Sequence, residues 1–537
     1  MSFFPRRLRM SSSSISGAGS RDKSTRAKKR GMPAASSILM VFCGLITALL
    51  LGMVIALGAI QLTILLTGIL VFIPILFVVS TKRLLPIMFV AIFFVAGTAQ
   101  YFFSLRLATW LASGLSALFF ARAILELTLS QGRSHMPLGE NSVGASRIII
   151  AVWIYLLFYA FSIFLGHAST VQLISVLRFC IPMFGLLFAM YWFHWSCRRL
   201  LVLWTLIVLI ALAQLPLVVY QHFFKISTLG WDGVVGSFGG NMSPVLVLFV
   251  VSAMLYMLAR WIRGITPLWQ LIMVFIIGLA VILLGEVKAV FLWLPIGVFW
   301  VARNKVMKNL ASFIIFAAMM TAISSGIFMA YHAMYWGGHT KTDTMEEKVT
   351  SVGGYVVDPN GINYVTGEMS RAATLVLWYN DPMPTIQERL IGYGPGASLT
   401  SQSTGRGVVA ARYRNLQIGS TGLAVLLWDV GILGTMAFLS IFVGGIILGI
   451  RYVSRSKAGP EQMAMADTSV IVLALYLSTL VYNKTMIDEP SAQLLCYFCL
   501  GCIIQFARYA PAAPVTISTG DAQQETMILQ RGISAQR

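Results

Sequence analysis

Predominantly apolar runs close to the length of a membrane span recur from residue 37 to residue 508. A helix needs roughly 20 such residues to cross the hydrocarbon core of a bilayer. Inside lipid every backbone N–H and C=O must be paired within the protein, so only helices or closed barrels span it. Barrel strands alternate in polarity and need only about ten residues. These runs are longer and apolar on every side, which predicts helices. Charged residues make up only 11% of the 537-residue chain, whereas soluble domains carry roughly 25%. The expected fold class is an all-α polytopic membrane protein of about 14 (12–14) transmembrane helices with one large extracytoplasmic loop.

The expected spans are 37–58, 60–80, 84–104, 106–127, 148–166, 172–194, 200–220, 243–260, 267–285, 287–302 and 310–331. A returning span then ends before Arg451, and two more follow at 468–483 and 491–508. The first segment is too long and apolar for a cleaved signal and reads as an anchor. Basic pairs and triplets, among them Lys82-Arg83, Arg198-Arg199, Arg260/Arg263 and Arg303/Lys305/Lys308, fall in alternate loops. That is the positive-inside pattern, and it puts both termini in the cytoplasm.

Nine Lys or Arg precede Pro33 against the single acid Asp22, so part of the net charge of +20 sits in one tail. Such a tail anchors topology and attracts anionic lipid head groups, and no nucleic-acid role is expected. The chain thus divides into a basic, low-complexity tail 1–36, helices over 37–331, a large loop 332–417, helices over 418–509 and a tail 510–537. Two places resist this division. They are the tight turn at Gly285 and the stretch 418–430, which reads as a re-entrant segment or as the start of a span.

The loop 332–417 is the long polar segment of an otherwise apolar chain, with seven basic and seven acidic residues. Arg371, Arg389, Arg406, Arg412 and Arg414 there are candidate phosphate contacts, because guanidinium groups bind phosphate bidentately. Glu368, Asp381 and Glu388 are candidate general bases. Tyr355, Tyr364, Trp378, Tyr379 and Tyr393 either stack on sugar faces or form the loop's own small core. Charges at membrane depth cost a few kcal/mol and ask for a partner or a purpose. Glu286 and Lys288 form one such pair, facing a cavity or neutralising each other. Arg178, inside the span 172–194, suits a diphosphate or pairs with a neighbouring helix. Cys496, Cys499 and Cys502 repeat every third residue without His or acidic company and read as packing residues. Walker, dinucleotide and zinc-pair motifs are absent from the sequence, so energy coupling by ATP is not expected.

Four features in chain order resemble the O-antigen ligase/polymerase (Wzy-type) family of bacterial polysaccharide-biosynthesis membrane proteins. Gly236-Ser237-Phe238-Gly239-Gly240-Asn241 is similar to that family's glycine/asparagine loop. Gly285-Glu286-Val287-Lys288-Ala289 stands where the family carries a basic element. Arg371 precedes the turn Gly392-Tyr393-Gly394-Pro395-Gly396. The run Leu427-Trp428-Asp429-Val430-Gly431-Ile432-Leu433-Gly434 resembles the family's apolar acid-x-Gly-Ile-x-Gly ending. The resemblance covers roughly residues 150–450. It departs at Ser420-Thr421, where ligases of the family carry a His-Asn pair, and at Lys288, which stands for an arginine.

The resemblance implies a metal-independent glycosyltransferase at the outer face of the bacterial inner membrane, and it calls for no metal or soluble cofactor. It would polymerise polyprenyl-diphosphate-linked repeat units into exopolysaccharide, capsule or O-antigen. Arg178, Lys288, Arg371 and Arg389 would hold the diphosphate, Arg371 would also act in catalysis, and Glu286 or Glu368 would be the base. Its partners would be the lipid-linked glycan, membrane lipid, a chain-length regulator and export machinery. The alternatives are a ligase acting on a lipid-A core and a flippase of lipid-linked sugars.

Overall fold

A computed structural model describes residues 78–103, 108–129, 142–167, 169–229, 233–239, 242–285, 287–333, 356–400, 405–456 and 458–509, with a few isolated positions besides. The chain divides into the units Met1–Ile73 and Pro74–Arg537, and the helical bundle belongs to the second. The expected tails 1–36 and 510–537, nearly all of the spans 37–58 and 60–80, and Glu286 lie outside the described residues.

Among the described residues the fold is all-α, and nine helices are long and apolar enough to cross a membrane. They are α1 (Thr81–Phe103), α2 (Ala108–Leu129), α3 (Ser142–Leu165), α6 (Cys197–Leu229), α7 (Ser243–Ile262), α10 (Leu310–Tyr331), α14 (Gly422–Arg455), α15 (Pro460–Tyr482) and α17 (Pro490–Arg508). Shorter helices α8 (Leu268–Leu284) and α9 (Val290–Val306) fall on the expected spans 267–285 and 287–302. The chain is a helical, membrane-embedded protein.

One expected span is broken. Residues 172–194 form two helices, α4 (Thr170–Cys180) and α5 (Phe184–Trp192). Pro182 supplies the reason, since it has no N–H to donate and its ring crowds the preceding turn. The Ser169 side chain and Gln172 cap the start of α4 reciprocally. Eleven residues of helix cover about 16 Å at 1.5 Å each. Arg178 therefore lies about 12 Å along a helix that stops two residues later.

A second break lies in α14. Gly431 has φ +68° and ψ −171°, so residues 422–430 form a short helical segment set apart from the long span beyond. This is where the sequence left the choice between span and re-entrant segment open. Around α14, the helices α3 and α15 pack along its length, while α17 lies against α15 and α5. Residues of α7 and α17 are buried almost all round, whereas α10 is peripheral.

The basic residues at one end of the bundle are cross-linked rather than merely solvated. Arg263 and Arg303, from the ends of α7 and α9, reach opposite oxygens of the buried Asp467 on α15, at 2.6 and 2.8 Å. Arg260 meets Glu461 at 3.2 Å. The helix ends that the charge pattern groups together are thus tied to a third helix by ion pairs.

Candidate functional site

Within 356–400 and 405–417 the polar loop builds its own small core from Met369, Ala373, Tyr393, Ala397, Val409 and Ala410, closed by Trp428 of α14. Three short helices organise it: α11 (Arg371–Asn380), α12 (Ile386–Ile391) and α13 (Val408–Arg412). The Ser370 hydroxyl accepts the Ala373 N–H and starts α11. Thr385 and Glu388 start α12 with a reciprocal capping pair. Of the aromatics expected either to stack on sugars or to form the loop's core, Tyr393 is buried in this core, whereas Tyr364 and Tyr379 are exposed.

At the end of α12 the chain leaves through Gly392, at φ +88°, and lies down on the break in α14. Tyr393 N–H donates to the Trp428 carbonyl at 2.9 Å and Gly394 N–H to the Asp429 carbonyl at 3.0 Å. A continuous helix would spend those carbonyls on its own next turn, so the break at Gly431 makes them available. The Asp429 carboxylate completes the joint. One oxygen accepts the Gly396 N–H at 2.7 Å, and the other accepts the N–H and hydroxyl of Ser398 at 3.0 and 2.8 Å. A Cβ on Gly392 would stand 2.4 Å from the Asp429 carbonyl oxygen, which only glycine avoids. The glycine turn and the acid-x-Gly ending, 36 residues apart from Gly392 to Trp428, are one structure.

Beside this joint lies a cavity of about 250 Å³. Its walls come from the turn (Gly396, Ser398), from α3 (Tyr155, Tyr159), from α4 (Arg178) and from α14 (Asp429). Its remaining wall is the link between α15 and α17, namely Lys484, Asp488 and Glu489 around the short helix α16 (Thr485–Asp488). Gly422 N–H donates to the Asn483 carbonyl at 2.8 Å and fixes that link to the start of α14. Arg178 also stacks on the Trp110 ring, 4.2 Å from its centroid.

Two cations and two carboxylates therefore share this space with Asp429. Lys484 and Asp488 pair at 3.0 Å. The Asp488 charge pushes the Lys484 ammonium above its ordinary range, against the opposing effect of burial. Burial raises Asp488, offset by Lys484. Burial and then the neighbouring Asp488 charge hold Glu489 well above the usual carboxylate range. The arrangement can bind an anion on Arg178 and Lys484 and offer a carboxylate poised to exchange a proton.

The expected site residues fare differently. Arg178 lines the cavity. Arg371 opens α11, donates to the Ser420 carbonyl at 3.3 Å and faces the Tyr482 ring at 5.7 Å; it is absent from the cavity wall. Ser420 thus meets Arg371 through its carbonyl, and Thr421 caps α14. Lys288 is exposed between α8 and α9, and Glu368 is exposed in the loop. Glu388, although burial pushes it up, sits below its ordinary range because the Thr385 N–H and hydroxyl hold its charged form.

Arg389 donates to the carbonyls of Trp378, Tyr379 and Asp381 and stacks on the Trp378 ring at 4.8 Å. Those are the open carbonyls at the end of α11, so this guanidinium closes a helix terminus. Arg389→Ala is expected to lower loop stability by about 1–3 kcal/mol. Lys at the same position should recover little, since one ammonium replaces a planar fork. Thermal unfolding in detergent reads the effect. An unchanged midpoint with weakened substrate binding would return Arg389 to the phosphate role expected from sequence.

Sequence reasoning missed Lys484, Asp488 and Glu489, and it named Asp429 only as part of a motif. The run Asn483-Lys484-Thr485-Met486-Ile487-Asp488-Glu489-Pro490 was the signal, three charges in a link between two apolar spans. No family model matches the chain, and no curated protein matches it either.

Proposed function

We propose that the protein is a membrane glycosyltransferase that polymerises polyprenyl-diphosphate-linked oligosaccharide repeat units at the outer face of a bacterial inner membrane. The product would be exopolysaccharide, capsule or O-antigen. The observation that carries this reading is the cavity in which Arg178 and Lys484 meet carboxylates directly under the polar loop. A desolvated guanidinium and an ammonium are the natural pair for a diphosphate. The leaving group is already activated, so the protein's task is to position it, neutralise its developing charge and help the acceptor lose a proton. About 250 Å³ is slightly below the roughly 300–1,000 Å³ typical of ligand pockets, and suits a head group whose lipid tail stays in the bilayer.

Two further observations support the reading. The glycine turn and the acid-x-Gly ending, which carry much of the family resemblance, form the roof of that cavity. The loop between the last two spans, outer by the charge pattern, contributes to the same wall as the large loop, as a site on one face of the membrane requires. In this reading both termini are cytoplasmic and the acceptor is another repeat unit.

The test is a reaction of the purified protein with its native lipid-linked repeat unit. A ladder of longer lipid-linked glycans is expected. No ladder, with the same lipid accumulating on the inner leaflet of cells lacking the protein, would replace polymerisation by flipping. Transfer to a lipid-A core alone would replace it by ligation. Arg178→Ala is expected to weaken binding of undecaprenyl diphosphate in nanodiscs by roughly 10- to 100-fold, the worth of one or two charge-assisted hydrogen bonds. Arg178→Lys should recover part of it. Unchanged binding by Arg178→Ala would remove Arg178 from the site.

A further inference from the structure

Behind the cavity under the polar loop lies a second, of about 140 Å³. Its walls include Gly97 and Gln100 of α1, Phe238 and Gly239 of the glycine loop, and Ser491 at the start of α17. That loop is built to lie close. A Cβ on Gly97 would meet the Ser237 carbonyl at 2.1 Å, and one on Gly239, at φ +73°, would meet the Gln100 amide oxygen at 2.5 Å. Two buried glutamines of α6 hold it there. Gln214 accepts the Ser237 N–H at 2.8 Å, and Gln221 accepts the N–H groups of Val235 and Gly236 at 2.9 and 2.7 Å.

Arg178 and Glu489 line both cavities. They form the partition between a chamber that also contains Lys484 and one whose other polar groups are an amide, a hydroxyl and backbone. The chambers differ as a charged and a neutral substrate part would require. The backbone of Glu489 is fixed in place, since it precedes Pro490 at the first turn of α17 and its carbonyl accepts the Gln493 N–H at 3.0 Å.

We propose that Glu489 is the general base of the transfer, with the donor's diphosphate in the larger chamber and the acceptor sugar reaching it from the smaller one. This rests on the polymerase reading. The acceptor hydroxyl oxygen bonds to the donor's anomeric carbon as the bond from that carbon to the diphosphate oxygen breaks. The electron pair leaves with the diphosphate, held by Arg178 and Lys484. The hydroxyl proton passes to the Glu489 carboxylate and from there to water. A carboxylate that burial and Asp488 hold above its ordinary range is a stronger base than a solvated one. The groups facing it across the two chambers are Arg178, Lys484, Asp488, Asp429, Tyr155 and Tyr159.

Glu489→Gln, nearly isosteric, is the deciding variant, assayed with the native lipid-linked repeat unit. Chain growth should fall by about 10²–10⁴-fold, the usual worth of a general base. Binding of undecaprenyl diphosphate in nanodiscs should stay within about twofold of the parent protein, because the cations that hold it remain. The parent's rate should rise with pH through the Glu489 titration, Glu489→Asp should keep a displaced rise, and the residual rate of Glu489→Gln should be flat.

Normal chain growth by Glu489→Gln beside a normal parent ladder overturns the base role and leaves the polymerase reading standing. Lost growth together with lost diphosphate binding makes Glu489 a positioning residue and overturns the base role too. No ladder from the parent protein overturns both readings at once.

Discussion

Asp429→Ala is expected to lose chain growth and to lower the stability of the polar loop by on the order of 4 kcal/mol. The carboxylate accepts from Gly396 N–H, Ser398 N–H and the Ser398 hydroxyl. Hydrogen bonds to a charged acceptor contribute about 1.5–3 kcal/mol each, and buried donors left without one cost a similar amount. The three losses are not additive, since they share one acceptor, which is why the total stays well below their sum. Asp429→Asn keeps one carbonyl oxygen and should retain about half of the stability. Thermal unfolding in detergent and limited proteolysis of residues 356–417 read the effect, the loop of Asp429→Ala being cut first. A loop as resistant as the parent's would show that the turn is held by Tyr393 and Gly394 on the backbone of α14 alone.

Asp467→Ala is the second large effect and concerns the opposite demand on a charge. Asp467 is buried and bridges Arg263 and Arg303. Removing it leaves two guanidinium groups facing each other where water is scarce, at a cost of about 3–5 kcal/mol. The protein should express poorly and melt early. Replacing all three with apolar residues, as Asp467→Leu with Arg263→Met and Arg303→Met, should recover much of the stability, because no charge then remains buried. Failure of the triple variant to exceed Asp467→Ala would mean that the ion triad specifies the arrangement of α7, α9 and α15 in a way apolar packing does not replace. Diphosphate binding by a folded Asp467→Asn should be unchanged.

The span pattern was legible because run length and charge alternation are local properties, and α1, α2, α7 and α8 begin and end within a few residues of expectation, while α3 starts six residues earlier. Pro182 was also in plain view, yet the apolar residues on either side of it made one run of span length. The break at Gly431 was harder. A glycine in a helix is tolerated, and only the docked turn, which supplies N–H groups to the carbonyls of Trp428 and Asp429, makes the break stable.

The site divides along the same line. Arg178 was legible as a charge inside a span. Lys484, Asp488 and Glu489 read as an ordinary link, because only the folding of α4, α14 and the turn against that link makes them a cavity wall. Arg389 gave no sign of its occupation, since open carbonyls at the end of α11 belong to tertiary structure. Arg412 is similar: its guanidinium lies 4.7 Å from the Tyr393 ring and donates to the Tyr393 hydroxyl at 3.0 Å.

The docking of the glycine turn on the broken helix has a practical reach for anyone recombining this protein with another. Cutting at the loop's sequence borders would separate Gly392–Ser398 from Trp428–Gly431 and leave each with raw backbone. The exchangeable cassette is instead the stretch from Asp358 through Gly434, which keeps Met369 and the bonds of Ser370 and Gln417 to residues 358–367, carried with the first turns of the span it rests on. A soluble fragment ending at Gln417 would lack Trp428, the side chain that closes its core, so secretion of the loop by itself should yield an unfolded polypeptide.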